Sequence, residues 1–132
     1  MSTTSTDNAA LVRDGYAAFA SGDMQLLGEL FADTTWNHRN PDRFGGVKRG
    51  FDEIGAFFGE SAQLTQGTLN VDPRSVLADG GTVAVIAHMT GSRPDGRRLD
   101  DMQVHVFTIA DGRVSTVDQY VGDPDHVTTF WA

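Results

Sequence analysis

Two periodicities divide this chain. Ahead of Gly67, apolar residues recur three and four apart, the spacing of a helix face. Leu11, Gly15, Ala18 and Phe19 share one stripe, which Val12 and Tyr16 widen. Ser21-Gly22 closes that helix, since glycine accepts the left-handed conformation of a C-terminal cap. Asp23 is placed to cap a second helix, whose apolar face is Leu26, Leu27, Leu30 and Phe31. A third helix follows Gly50, with Asp52 and Glu53 at its positive end and Phe51, Ile54, Phe57 and Phe58 as its stripe. Between the second and third helices, Thr34 to His38 is β-branched and aromatic and reads as a short strand. Arg39 to Gly50 carries Pro41, Gly45 and Gly46 and reads as a loop.

From Gly67 the period becomes two. Asp79-Gly80, Asp95-Gly96 and Asp111-Gly112 are each 16 positions apart, and Asp-Gly supplies the positive φ angles of tight hairpins. They divide the region into a four-stranded meander over 68–78, 82–93, 97–109 and 113–122. Long strands twist and bend, and the concave face of such a sheet is where three amphipathic helices bury their stripes. The expected architecture is α+β: a cone of three N-terminal helices on a strongly curved, mostly antiparallel sheet that encloses a pocket. Residues 1–8, polar and rich in Ser and Thr, read as a flexible leader to a single domain over 9–132.

Composition narrows the function classes. The formal charge is −8, and no basic stripe is present to neutralise phosphates, so nucleic acid is not an expected partner. Arg93, Arg97 and Arg98 flank a turn and read as a solvated hairpin tip. No apolar run reaches bilayer length, no signal pattern opens the chain and cysteine is absent, which fits a cytoplasmic protein.

Four stretches carry a family resemblance: Tyr16-Ala17-Ala18-Phe19-Ala20-Ser21-Gly22-Asp23, Leu30-Phe31-Ala32-Asp33, Arg49-Gly50-Phe51-Asp52-Glu53-Ile54, and Val106-Phe107-Thr108-Ile109-Ala110-Asp111-Gly112-Arg113-Val114. Over roughly residues 9–131 the sequence resembles the SnoaL-like branch of the nuclear-transport-factor-2-like superfamily, with its ketosteroid isomerases, limonene epoxide hydrolases and polyketide cyclases. The resemblance implies a homodimer through the sheet and an enzyme without a cofactor. It sets the isomerase base on His38, the two hydrolase aspartates on His88 and Gln119, and the isomerase tyrosine at Gly15, one place from Tyr16. None of these positions keeps the family's catalytic residue.

Alternation puts Trp36 with His38, Ile86 with His88, and Gln103 with His105 and Phe107. A three-residue turn at Ala110-Asp111-Gly112 pairs Gln103 with Gln119 and His105 with Val117. A two-residue turn at Asp95-Gly96 pairs His88 with Gln103 and gathers the polar residues inward; a three-residue turn using Pro94 pairs His88 with Met102 instead. The two-residue turn is preferred here because it matches the family pattern. His38, His88, His105 and Gln119 are then the candidate catalytic residues, with His38 as base. Tyr16, Trp36, Phe57, Ile86, Gln103, Phe107 and Val117 are the candidate substrate contacts. The histidines come from separate strands without ligand spacing, so no metal is expected. Asp100, Asp101 and Asp118 are the remaining carboxylate candidates. Asp118 is expected to point away, and Asp101 to have inward parity but to lie near the hairpin end, where solvent is expected. Phe130 and Trp131 are expected to cover an edge, the pocket mouth or a partner. The expected activity is acid–base isomerisation, cyclisation or elimination on an apolar, carbonyl-bearing molecule; a non-catalytic binding module and a water-activating hydrolase are the alternatives.

Overall fold

The computed structural model describes residues 3–132. Helix α1 (Thr3–Ser21) is followed by α2 (Met24–Leu30), strands β1 (Thr35–His38) and β2 (Gly46–Arg49), and α3 (Gly50–Leu64). Strands β3 (Asn70–Asp79), β4 (Thr82–Ser92), β5 (Arg98–Ala110) and β6 (Arg113–Tyr120) form the meander, and α4 (Pro124–Trp131) closes the chain. The six strands make one sheet in the order β2-β1-β6-β5-β4-β3. Only β1 and β6 run parallel; every other neighbouring pair is antiparallel. Bulges in the β3–β4 and β5–β6 ladders sharpen the sheet's curvature.

The helices form where their stripes predict. Asp23 accepts the Leu26 N–H, 3.1 Å away, and the Glu53 carboxylate reaches back to the Arg49 N–H at 2.7 Å. Val12, Ala18, Leu27, Leu30, Ile54 and Phe58 are buried against Val83, Val85, Phe107 and Val114 of the sheet. A second apolar cluster gathers Phe44, Met89 and Leu99 under α4 through Val127, Phe130 and Trp131.

Several expectations change. Residues 3–8 are helical: Asn8 donates to the Gly80 carbonyl and the Ser5 hydroxyl accepts the Gly80 N–H, both at 2.8 Å. The remainder of the expected leader, residues 1 and 2, lies outside the described residues. The loop from Arg39 to Gly50 contains β2, which pairs with β1. Helix α4 was not foreseen, although Asp123-Pro124 is a cap followed by proline at the first turn, and Val127, Phe130 and Trp131 have helix spacing. The arginine tip is tied down. Arg97 donates to the carbonyls of Thr129 (2.9 Å), Phe130 (3.2 Å) and Ala132 (2.8 Å), and Arg93 to that of Phe130 (2.8 Å), so both side chains hold the last turn of α4. Among the described residues, no helix is long and apolar enough to cross a membrane.

The hairpins settle which residues face inward. Arg93 N–H bonds the Arg97 carbonyl around Pro94-Asp95-Gly96, so His88 pairs with Met102 and not with Gln103. Val83, Val85, Ala87 and Met89 therefore take the buried side of β4, an apolar row that the preferred register would have turned to water. In the β5–β6 hairpin the turn is the two-residue Asp111-Gly112, both at positive φ. A bulge opposite Ile109 then pairs His105 with Gln119, and Phe107 with Val117.

Candidate functional site

The helices do not fill the concave face of the sheet. They leave a cavity of about 60 Å³, walled by rings that include Phe19, Phe31, Trp36, Phe57, Phe107 and Trp131. Among the described residues, five polar side chains break that wall. Ser61 from α3 spends its hydroxyl on the Phe58 carbonyl. Tyr16 from α1, His38 from β1, His105 from β5 and Gln119 from β6 are linked to one another. The resting cavity is narrow beside ligand pockets of roughly 300–1,000 Å³, so a larger occupant requires the rings to shift.

The linked groups belong to one connected set of hydrogen bonds, and its direction follows from groups that can act in one way only. Asp101 is buried and accepts from the backbone N–H groups of Gly122 (3.0 Å) and Asp123 (2.9 Å). A carboxylate only accepts, so the Gln103 side chain must turn its Nε2 toward it, at 3.1 Å. The Gln103 oxygen then faces the other way and receives Gln119 Nε2 (2.8 Å) and His105 Nε2 (3.0 Å). His105 is thereby protonated on Nε2, which leaves Nδ1 to accept the Tyr16 hydroxyl at 2.7 Å. On the other branch, Gln119 Oε1 accepts from the indole of Trp36 (3.1 Å), a donor only, and from His38 Nδ1 (2.9 Å). His38 Nε2 meets the covered carboxylate of Asp42 at 2.8 Å. Both nitrogens of His38 face acceptors. A ring carrying both protons satisfies both of them, pairing with Asp42 across the Nε2 contact.

The electrostatics agree. Burial, aided by the positive charge of His38, pushes the pKa of His105 down to about 4, so this imidazole is neutral near pH 7. Burial also pushes the Tyr16 phenol well above its ordinary range, so it stays a donor. For Asp42, burial acts upward. Hydrogen bonds from His38 and Asn40, the charge of His38 and the Phe44 N–H outweigh it and hold the carboxyl below its ordinary value. Burial lowers the Lys48 ammonium, with Asp42 and Glu53 opposing, and that ammonium sits 4.9 Å from the Phe57 ring centre.

Residues 12–117 match the SnoaL-like domain family. The chain belongs to that family. An uncharacterised protein of Mycobacterium tuberculosis (strain H37Rv) is 34% identical over 131 residues, covering 96% of this chain and 99% of the relative. The structure of Bal32a, from a soil-derived mobile gene cassette, is 35% identical and superposes with a TM-score of 0.93 over 98% of this chain and 100% of that one. An NTF2-like protein from Burkholderia xenovorans LB400, 20% identical, shares the fold with a TM-score of 0.83 over 97% and 98% of the two chains.

In this SnoaL-like domain, seven of the expected site residues border the cavity: Tyr16, Trp36, His38, Phe57, His105, Phe107 and Gln119. Gln103 sits behind the wall as the hub of the hydrogen bonds, and Val117 is core beneath it. His88 and Ile86 do not belong to the site. The three-residue loop turns both to the outer face, where His88 bonds Asp100 (2.7 Å) and Arg74 (3.0 Å) and Ile86 is 37% exposed. Asp118 points outward, as expected, and binds Arg39. Asp101 is buried instead of solvated, because the Gly122-Asp123 turn folds over it. Asp42 was missed: in sequence it is one acid in a Pro/Gly-rich loop, and only its position four residues after His38 hints at the pairing. Among the described residues, no three His, Cys, Asp or Glu side chains gather as a metal-holding group.

Proposed function

We propose that this SnoaL-like domain is a cofactor-free acid–base enzyme acting on an apolar, carbonyl-bearing molecule, within a family whose members include isomerases and cyclases. The observation that carries this is the Tyr16–His105 pair at the edge of an apolar cavity, with the imidazole neutral and its Nδ1 lone pair occupied only by a phenol. A substrate carbonyl that takes over the Tyr16 hydroxyl frees that lone pair. His105 Nδ1 then removes a proton from the carbon next to the carbonyl, and the phenol holds the oxygen of the developing enolate. Returning the proton to another carbon, or losing a leaving group, gives isomerisation or elimination. A base with a pKa near 4 suffices when a donor holds the enolate oxygen. His38, with both N–H groups committed, has no lone pair for the base role that its family position suggested. It contributes positive charge near the oxyanion.

The test is proton exchange in D2O with a panel of apolar cyclic ketones and enones, followed by mass spectrometry. Exchange that the wild type accelerates and His105→Ala does not, by about 10²–10⁴-fold, supports the reading. Ketones that bind without exchanging overturn it in favour of a binding module.

Homodimerisation belongs to the same proposal. The outer face of the sheet leaves Ile86, Met102, Val104 and Tyr120 exposed on neighbouring strands, a surface suited to a second copy.

A further inference from the structure

We infer that Asp101, which does not border the cavity, is a positioning residue that, with Trp36 at the other end of the hydrogen-bond set, fixes which nitrogen of His105 carries the proton. This rests on the assignment of His105 as the base. Asp101 sits at the closed end of the hydrogen-bond set, held by two backbone N–H groups where the chain leaves β6 for α4. Its cradle is specific in shape: a Cβ at Gly122 would fall 2.3 Å from the Met102 carbonyl oxygen and 2.9 Å from the Asp101 carboxylate. With its remaining capacity the carboxylate orients one amide, that of Gln103.

Among the described residues, that amide is the group bonded to His105 Nε2, and its orientation distinguishes the two ring nitrogens from behind. While its oxygen faces His105, Nε2 must donate and Nδ1 must accept. Reversed, it would offer N–H to Nε2, move the ring proton to Nδ1 and remove the lone pair from the Tyr16 side. The same reversal would set Gln103 N–H against Gln119 N–H. Gln119 cannot turn in response, because the Trp36 indole requires its oxygen. Asp101 and Trp36, two groups with a single hydrogen-bonding role, therefore pin the set from opposite ends.

The test reads the imidazole directly, by ¹⁵N chemical shifts of His105 at neutral pH. Wild type should show a single tautomer, protonated on Nε2. Asp101→Asn can still turn an oxygen to Gln103 and should keep it. Asp101→Leu offers none but leaves the Trp36 end in place, so the decisive variant is Asp101→Leu/Trp36→Phe. With both ends released, the two ring nitrogens should move toward a common averaged shift. Gln103→Leu removes the link between the two ends and should give the same averaging, serving where the double variant does not fold. An Nδ1-protonated wild type, or an unmixed Nε2 tautomer in folded Asp101→Leu/Trp36→Phe or Gln103→Leu, overturns the inference. These shifts do not depend on turnover, so an inactive protein with the expected tautomers would sink the catalytic reading alone.

Discussion

The phenol oxygen of Tyr16 lies 2.7 Å from Nδ1 of His105, and the two rings run nearly parallel, 6° apart with centres 6.0 Å distant. One residue comes from the first helix and the other from the fifth strand, 89 positions later. The fold joins them because each lies on the buried face of its own element.

Tyr16→Phe keeps the ring packing and removes one donor. It leaves His105 Nδ1 buried without a partner, which should destabilise the protein by about 1–3 kcal/mol in urea unfolding. If the phenol holds an enolate oxygen, ketone proton exchange should fall by about 10²–10³-fold, a larger loss than the stability change explains.

The neutral burial of His105 sets a pH dependence. Its folded pKa of about 4 lies below the ordinary 6.5, so between those values the unfolded chain binds the proton more readily. The contribution of His105 is therefore fully present above pH 6.5 and is lost as pH falls toward 4, amounting to roughly 3 kcal/mol. Urea midpoints measured from pH 4 to 7.5 should show this dependence in the wild type and a flatter one in His105→Gln. Asp42 acts in the same direction but later. Its contribution holds above its unfolded value, near 3.9, and is lost as pH falls through its lowered folded value.

Asp42→Ala should cost about 3–5 kcal/mol, because it removes the carboxylate partner of the buried His38 ring. His38→Gln, which titrates no proton, should relieve much of that loss in the double variant. A double-mutant cycle by chemical denaturation reads the coupling, and additive single effects would remove the ion pair.

Val104→Glu tests the outer face. Val104 is 39% exposed and makes no part of the cavity, so folding stability should change by less than about 0.5 kcal/mol. A homodimer through this face should dissociate in sedimentation velocity, while a surface with no partner would sediment as before.

Much of the architecture was legible in the chain. The stripes of α1, α2 and α3 and the rhythm of Asp-Gly turns led to the helices and the meander, because amphipathic period and turn chemistry are local properties. Which residues face the cavity depended on one residue of loop length. Pro94 joins the Asp95-Gly96 turn, and that single step sends His88 and Ile86 outward. The β5–β6 turn was also misread, yet His105 and Gln119 kept their inward side, because the true register differs from the expected one by two positions. The enclosure of Asp42 was beyond reach for another reason, and so was that of Asp101, whose inward parity the alternation did carry. Each is buried by backbone N–H groups and neighbours brought in by loops, and no spacing in the sequence marks a carboxylate so enclosed.

Arg97 lies at the far tip of the β4–β5 hairpin, yet it grips the final carbonyls of the helix that carries Trp131, an aromatic wall of the cavity. The calibre of the chamber is thus set partly from outside, by a guanidinium that never meets its contents. Exchanges at Arg97 and at Arg93, which holds the same turn, would loosen that wall while every group inside stays as it is.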